Sequence, residues 1–114
     1  MYRVLVADDE KAIRESVSDY LRAKGFSVAV ACDGKETVEK TKSDSFDLLI
    51  LDVRMPNIDG LNACKLIREF SLVPILFLSA YGEEEDFLNA YKVGCDDYIV
   101  KPFPLSVLVE KCNA

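Results

Sequence analysis

The sequence predicts an α/β fold in which five parallel strands form one doubly wound sheet with helices on both faces. Three observations lead to this fold class. Short apolar runs alternate five times with segments whose apolar residues repeat at helical spacing. The run Leu48 to Leu51 is apolar without interruption, which is typical of a strand buried on both faces. One domain of 114 residues, half of them apolar, is long enough to bury such a core.

The first half of the chain predicts three strands and two helices. The strands are expected over residues 2–7, 26–31 and 47–51. Apolar residues of the first helix recur at helical spacing, namely Ile13, Val17, Tyr20 and Leu21. Gly25 follows as the expected end of this helix. Asp33 is the expected N-cap of the second helix, which carries Val38.

The second half predicts two strands and three helices. The strands are expected over residues 73–78 and 98–100, and the helices over residues 61–70, 82–93 and 104–113. In the third helix the residues expected to face the core are Leu61, Cys64, Leu66 and Ile67. The first turn of the fourth helix carries four acids, Glu83 to Asp86, where the helix dipole favours negative charge.

Acidic residues follow two strands that the expected strand order places side by side. Five strands favour the order 2-1-3-4-5, in which the first and third strands are neighbours. Asp8 and Asp9 follow the first strand, and Asp52 follows the third. Ser79 and Lys101 follow the fourth and fifth strands, so all five side chains are expected at one edge of the sheet.

This set of side chains suits the binding and transfer of a phosphoryl group. Three close carboxylates repel one another and raise one another's pKa, and Mg²⁺ with its oxygen ligands would relieve that repulsion. A main-chain carbonyl just past Asp52, that of Arg54, is expected to complete the metal site. Asp52 could attack phosphorus to form an aspartyl-phosphate, while Lys101 and Ser79 contact the phosphoryl oxygens. Taken singly, each residue also has a structural explanation, such as a helix cap or a solvated charge.

Composition argues against several other classes of protein. The chain has 14 basic and 20 acidic residues, so its net charge of −6 argues against a nucleic-acid-binding face on this domain. No apolar run approaches the ~20 residues that span a bilayer, and no signal peptide is visible. The four cysteines are widely spaced and no histidine is present, which disfavours zinc. We therefore expect a cytoplasmic protein with reduced thiols.

Four segments together resemble the receiver domain of two-component response regulators, over essentially the whole chain. They are VLVADDE at 4–10, LLILDVRMPNIDG at 48–60, LFLSAYGE at 76–83 and GCDDYIVKPF at 94–103. The resemblance implies a flavodoxin-like receiver fold over residues 1–114 as a single domain. It implies that Asp52 is the phosphoacceptor, that Asp8 and Asp9 bind Mg²⁺, and that Lys101 contacts the phosphate. It further implies that Ser79 and Tyr98 form the switch, and that the bond before Pro102 is cis.

The resemblance also implies partners. A sensor histidine kinase would supply the phosphoryl group, and the domain would catalyse its own phosphorylation and dephosphorylation without being a turnover enzyme. The fourth helix, fifth strand and fifth helix would form the face that changes its partners. The 94–103 segment is most similar to regulators with a winged-helix DNA-binding domain, which control transcription and often dimerise through that face. DNA would then be bound only by an output domain that follows Ala114, and no membrane partner is expected.

Two departures and two alternatives accompany this reading. Neither Asn89 nor Val107 is charged, so an ion pair common in such dimers is expected to be absent, whereas Asp96, Asp97 and Lys111 keep other charges available. The early end of the fifth helix suggests an excised domain, with a natural single-domain regulator as the other possibility.

The alternative function is a Mg²⁺-dependent phosphatase of the haloacid-dehalogenase type, although Asp52-Val53-Arg54 lacks that family's second aspartate. A flavin-binding module is the third hypothesis, disfavoured by the acids at 8–10.

Overall fold

A computed structural model describes residues 2–113, and its central layer is one sheet of five parallel strands. The strands are β1 (Arg3–Ala7), β2 (Ser27–Ala31), β3 (Leu48–Asp52), β4 (Ile75–Ser79) and β5 (Asp97–Val100). Their order is β2-β1-β3-β4-β5, which confirms the predicted topology. The register aligns Ala7 with Leu51 and Asp52 with Leu78, so these strands end at one edge of the sheet.

Five helices connect and cover the strands. They are α1 (Lys11–Ala23), α2 (Gly34–Ser43), α3 (Gly60–Arg68), α4 (Glu84–Lys92) and α5 (Leu105–Asn113). Two separate apolar clusters show that helices pack on both faces of the sheet. One cluster contains residues of α1 and α5, and the other contains residues of α2, α3 and α4. No helix among residues 2–113 is long and apolar enough to cross a membrane.

The middle strand β3 is buried along its whole length, as its unbroken apolar run predicts. Leu48 and Ile50 belong to the cluster on the α1 and α5 face, and Leu49 and Leu51 belong to the opposite cluster. Side chains on a strand alternate between its two faces, so both faces of β3 require apolar residues. Asp52 is therefore the first polar side chain that this buried strand presents, at its carboxyl end.

Helix ends follow the local signals in the sequence. Asp33 caps α2, because its Oδ1 accepts a hydrogen bond from the Glu36 amide at 2.7 Å. Gly25, just past α1, has a φ of 96°, which a residue without a Cβ adopts without strain. Glu83 and Asp86 form a capping box at the start of α4. The cap at Asp33 and the helix end at Gly25 were both predicted from single residues.

Several boundaries and one core assignment differ from the sequence prediction. Tyr2, Phe26 and Val73 lie just outside the strands to which they were assigned, whereas Asp52 and Ser79 are the last residues inside theirs. Both main-chain groups of Val73 have partners outside the sheet, since its amide donates to Ser71 Oγ at 3.1 Å and its carbonyl accepts from the Arg68 guanidinium at 2.7 Å. The inward assignment of Leu66 is wrong: it is 38% exposed. On α3 the buried stripe runs through Ala63, Cys64 and Ile67, and Leu66 lies beside it.

Candidate functional site

Three carboxylates converge at the carboxyl edge of the sheet. Asp8 follows β1, Asp9 is the next residue, and Asp52 ends β3, the neighbouring strand. One oxygen from each of the three side chains lies within 4.8 Å of the others. Asp8 and Asp52 are buried, while Asp9 is exposed and opens the cluster to solvent. The predicted strand order is what brings these acids together.

Lys101 supplies a positive charge to this cluster. Its Nζ lies 3.1 Å from Asp8 Oδ2 and 3.4 Å from Asp52 Oδ2. Its main-chain amide donates to the Ser79 carbonyl at 2.7 Å, which ties the end of β5 to β4. The Lys101–Pro102 bond that follows is cis. Burial alone would lower the pKa of Lys101, but the hydrogen bond to Asp8 and the charge of Asp52 raise it, so the side chain stays an ammonium.

Asp52 is held in an environment that disfavours its charge. Burial and the charge of Asp8 raise the pKa of Asp52 to about 6, against the lowering effect of Lys101 and of the Arg54 amide. That amide donates to Asp52 Oδ1 at 3.3 Å. Three close acids with one ammonium leave an excess of negative charge, which a bound cation would relieve.

The donor set fits Mg²⁺. All the side-chain ligands in the cluster are carboxylate oxygens, which are the donors that this hard cation prefers. Asp8 and Asp52 are buried and Asp9 is exposed, so a cation bound here could keep water ligands on its solvent side. The cluster contains neither thiolate nor imidazole, so its chemistry favours Mg²⁺ over zinc or copper.

Ser79 and Tyr98 lie on adjacent strands next to the acidic cluster. Ser79 is fully buried, and its Oγ accepts from the Tyr81 amide at 3.0 Å. Tyr98 is also buried, and its ring contacts Phe87 edge-on with ring centroids 4.6 Å apart. The Tyr98 hydroxyl donates to the Tyr81 carbonyl at 2.6 Å. Both switch candidates therefore contact the main chain of one residue, Tyr81.

Sequence reasoning missed three side chains at this site, those of Arg54, Tyr81 and Arg14. The Arg54 guanidinium lies over the Tyr81 ring, 4.8 Å from its centroid, and both residues line the mouth of the pocket beside Asp9 and Lys101. Arg14, on α1, donates to the Asp8 carbonyl at 2.9 Å. Tyr81 carried only the signal of following Ser79 by two residues, and Arg14 stands at an ordinary exposed spacing on its helix. Neither position could be separated from surface residues by pattern alone.

The face formed by α4, β5 and α5 is uncharged at the two positions where an ion pair was considered. Asn89 and Val107 are both exposed and uncharged. The three charges that the sequence analysis singled out here are paired within the chain: Lys111 binds Asp97 at 2.8 Å, and Asp96 binds Arg68 at 3.1 Å. The same face also exposes apolar side chains, including Leu88 on α4 and Val107 on α5.

Comparison with known proteins identifies one family. Residues 4–113 match the response regulator receiver domain family. The transcriptional regulatory protein ResD of Bacillus subtilis is 41% identical over 98% of this chain and 47% of its own length. The alkaline phosphatase synthesis transcriptional regulatory protein SphR of Synechococcus elongatus is 40% identical over 98% of this chain and 48% of its own length. The chain thus spans about half the length of these relatives.

Solved structures agree. The receiver domain of the Francisella response regulator 1452 superposes with a TM-score of 0.95 at 33% identity, covering 99% of this chain and 94% of that one. The response regulator protein TrrA from Thermotoga maritima, in complex with Mg²⁺-BeF, superposes with a TM-score of 0.89 at 37% identity, covering 99% and 97% of the two chains. These similarities span both the fold and the edge of the sheet that carries the acids.

Proposed function

The chain belongs to the response regulator receiver domain family, and from that premise we propose that it is a signalling switch that accepts a phosphoryl group on Asp52 from a sensor histidine kinase. The observation that carries the proposal is the position of Asp52, buried at the end of β3 between two further acids and the Lys101 ammonium. The family assignment leaves the haloacid-dehalogenase-type phosphatase without support.

In the proposed transfer, a carboxylate oxygen of Asp52 attacks the phosphorus of a phosphohistidine. The P–N bond breaks, its electron pair returns to the imidazole nitrogen, and an aspartyl-phosphate forms. Lys101, already within 3.4 Å of Asp52, would donate to the phosphoryl oxygens, and the Ser79 hydroxyl would donate to another of them. Later attack of water on phosphorus would release inorganic phosphate and restore the carboxylate.

Mg²⁺ is the proposed cofactor. We assign Asp9 as a direct ligand with Asp52 and the main-chain carbonyl of Arg54, and Asp8 as acting through water. When bound, the cation would supply positive charge that offsets the carboxylates and the phosphoryl oxygens. Asp9 suits the direct role because it is the exposed acid of the cluster, whereas buried Asp8 is already engaged by Lys101.

The proposed output is a change of the α4-β5-α5 face. Phosphorylation would draw the Ser79 hydroxyl away from Tyr81 and stabilise one of two arrangements of Tyr98, which shifts an existing equilibrium. In the cytoplasm this face would bind a second copy or an output domain, and DNA would be contacted only by that further domain. Two relatives named as transcriptional regulators support this role. They are about twice as long as this chain, which leaves room in them for such a further domain.

Labelling with a small phosphodonor tests the proposal. Incubation with acetyl phosphate and Mg²⁺ should add one phosphoryl group to the intact mass, and Asp52→Asn should abolish it. Glu10→Gln is the matched control, because Glu10 is an exposed acid next to the cluster but outside it. Undiminished labelling of Asp52→Asn would rule out Asp52 as the acceptor.

A further inference from the structure

The loop between β3 and α3 contains a strained turn at Asn57. Asn57 has a φ of 68° and is the one residue other than glycine with a positive φ among residues 2–113. The Ile58 amide donates to the Pro56 carbonyl at 2.9 Å across it, which with this φ fits the rare and strained form of the γ-turn. Such strain persists only where the surroundings hold it in place, and it is concentrated near functional sites.

A side chain from another loop holds this turn. Asn57 Nδ2 donates to Asp33 Oδ2 at 2.8 Å. The other oxygen of Asp33 caps α2 through the Glu36 amide. Asp33 therefore uses its two oxygens for two purposes: one fixes the start of α2, and the other fixes the turn in the loop after the phosphoacceptor strand.

Backbone packing reinforces the link between these loops. A Cβ built on Gly34, the first residue of α2, would lie 1.7 Å from the Ile58 carbonyl oxygen. Only a residue without a side chain allows this approach. The start of α2 and the turn at Asn57 thus touch main chain to main chain, directly beside the hydrogen bond between Asp33 and Asn57.

The opposite end of the loop is also fixed. The Gly60 amide donates to the Val53 carbonyl at 2.8 Å, and a Cβ on Gly60 would lie 2.1 Å from the Asp52 carbonyl oxygen. Met55 is buried in the core between the two ends. Arg54 lies in this restrained segment, so the position of its carbonyl depends on both attachments.

We propose that Asp33 and Asn57 form a clamp that positions the main chain of Arg54 for cation binding at the acidic cluster. Both are positioning residues, because they act through the loop and do not contact the reacting atoms. This inference rests on the proposed function, in which the Arg54 carbonyl is a Mg²⁺ ligand. It assigns a role in that function to two residues on separate loops, neither of which belongs to the acidic cluster.

Three variants separate the clamp from general stability. Asn57→Gly keeps the positive φ available but removes the link to Asp33. Asn57→Asp places a second carboxylate against Asp33, which has no hydrogen to donate and repels the first. The double variant Asp33→Asn with Asn57→Asp restores the pair with its direction reversed. Asp44→Asn, at the opposite edge of the sheet, is the control, because it removes the ion pair with Arg3 and leaves this loop intact.

Binding of Mg²⁺ alone is followed by backbone amide NMR shifts, and labelling by acetyl phosphate is measured across the same Mg²⁺ range. Each single variant should raise the Mg²⁺ midpoint about tenfold, the lower end of the loss that follows when a residue supporting a metal ligand is removed. At saturating Mg²⁺ the labelling rate should stay near that of the unmodified chain. The reversed pair should recover most of the affinity, and Asp44→Asn should leave the midpoint unchanged.

Two results would overturn the clamp. One is a wild-type Mg²⁺ midpoint in both single variants, even if their thermal stability falls. The other is failure of the reversed pair to recover affinity while it remains folded. Because the metal titration needs no phosphodonor, a chain that binds Mg²⁺ but never becomes labelled at Asp52 would refute the proposed function and leave the clamp to be judged by its midpoints.

Discussion

The hydroxyl of Tyr98 donates a 2.6 Å hydrogen bond to the main-chain carbonyl of Tyr81, and this bond joins β5 to the loop after β4. The amide of the same Tyr81 is held by Ser79 Oγ at 3.0 Å. Tyr81 thus connects the Ser79 hydroxyl with the buried ring of Tyr98, which contacts Phe87 of α4. Movement of Ser79 toward a phosphate would release the Tyr81 amide and disturb the acceptor of Tyr98.

Ser79→Ala should permit phosphorylation but uncouple it from the α4-β5-α5 face. Without the hydroxyl, the Tyr81 amide has no side-chain acceptor to lose, so a phosphoryl group at Asp52 has no contact through which to move the loop. NMR shifts of residues 89–92 and 99–100, compared with and without beryllofluoride, measure the coupling. A response as large as that of the unmodified chain would show that the hydroxyl does not carry the signal.

The charge of Asp52 should make the metal-free protein less stable as the pH rises. Its pKa is raised by burial and by Asp8 from 3.8 to about 6, so the folded state binds this proton more tightly than the unfolded state. The stabilisation is complete below about pH 4 and is lost as the pH rises through 6. Asp52→Asn removes the charge and should be more stable than the unmodified chain above pH 6, by about 1–3 kcal/mol.

Urea unfolding in EDTA between pH 4.5 and 7.5 measures this difference. Asp44→Asn is a control of opposite sign, because its hydrogen bond to Arg3 lowers the pKa of Asp44 to about 2. The stability that Asp44 contributes is present above its unfolded pKa and is lost only as the pH falls toward 2. Its variant should therefore differ from the unmodified chain by a constant amount over this range. A pH-independent difference for Asp52→Asn would contradict the assigned environment.

The fold was predictable because its signals are local and repeated. The apolar run of β3 and the carboxylate that ends it can be recognised without reference to other segments of the chain. The strand order follows from the alternation of strands and helices. Asp8, Asp9, Asp52, Ser79 and Lys101 then reach one edge by topology alone. Strand starts were less predictable: the Val73 carbonyl accepts from Arg68, a side chain of another element, and no local pattern indicates this contact.

The supporting contacts of the site could not be predicted. The stacking of Arg54 on Tyr81 and the bond from Asn57 to Asp33 join residues on different loops, whose distance is set only after the sheet has formed. The buried position of the Tyr98 ring likewise depends on Phe87 from α4. The resemblance indicated that Ser79 and Tyr98 form a switch, but the sequence contained no information about which acceptor the Tyr98 hydroxyl would find.

Asp9→Ala should weaken Mg²⁺ binding strongly, whereas Glu10→Gln should not. Asp9 is the exposed acid of a cluster whose other two members are buried, and it is the carboxylate that a hydrated cation meets first. Removal of one direct carboxylate ligand should raise the Mg²⁺ midpoint by at least about tenfold. Amide NMR shifts during a Mg²⁺ titration provide the measurement. An unchanged titration in Asp9→Ala would exclude it as a ligand.

Removal of the Arg68 side chain should destabilise the fold, for reasons unrelated to phosphorylation. Its guanidinium donates to the carbonyls of Ser71, Val73 and Gly94 at 3.2, 2.7 and 2.9 Å and to the Asp96 carboxylate at 3.1 Å. It thereby ties the end of α3 to the loops before β4 and β5. Asp96 is fixed in turn by the Ile75 amide at 2.8 Å.

Arg68→Met should lower the free energy of unfolding by about 2–4 kcal/mol, because several carbonyls and one carboxylate lose their donor together while the aliphatic packing is kept. Arg22→Met is the matched control: Arg22 makes one hydrogen bond to the Val28 carbonyl and one exposed ion pair with Asp19, so its loss should cost less than about 1 kcal/mol. Urea unfolding of both variants gives the comparison. Labelling of Asp52 in folded Arg68→Met should match the unmodified chain, since Arg68 lies outside the acidic cluster. Equal losses of unfolding free energy in the two variants would show that water replaces the four hydrogen bonds of Arg68.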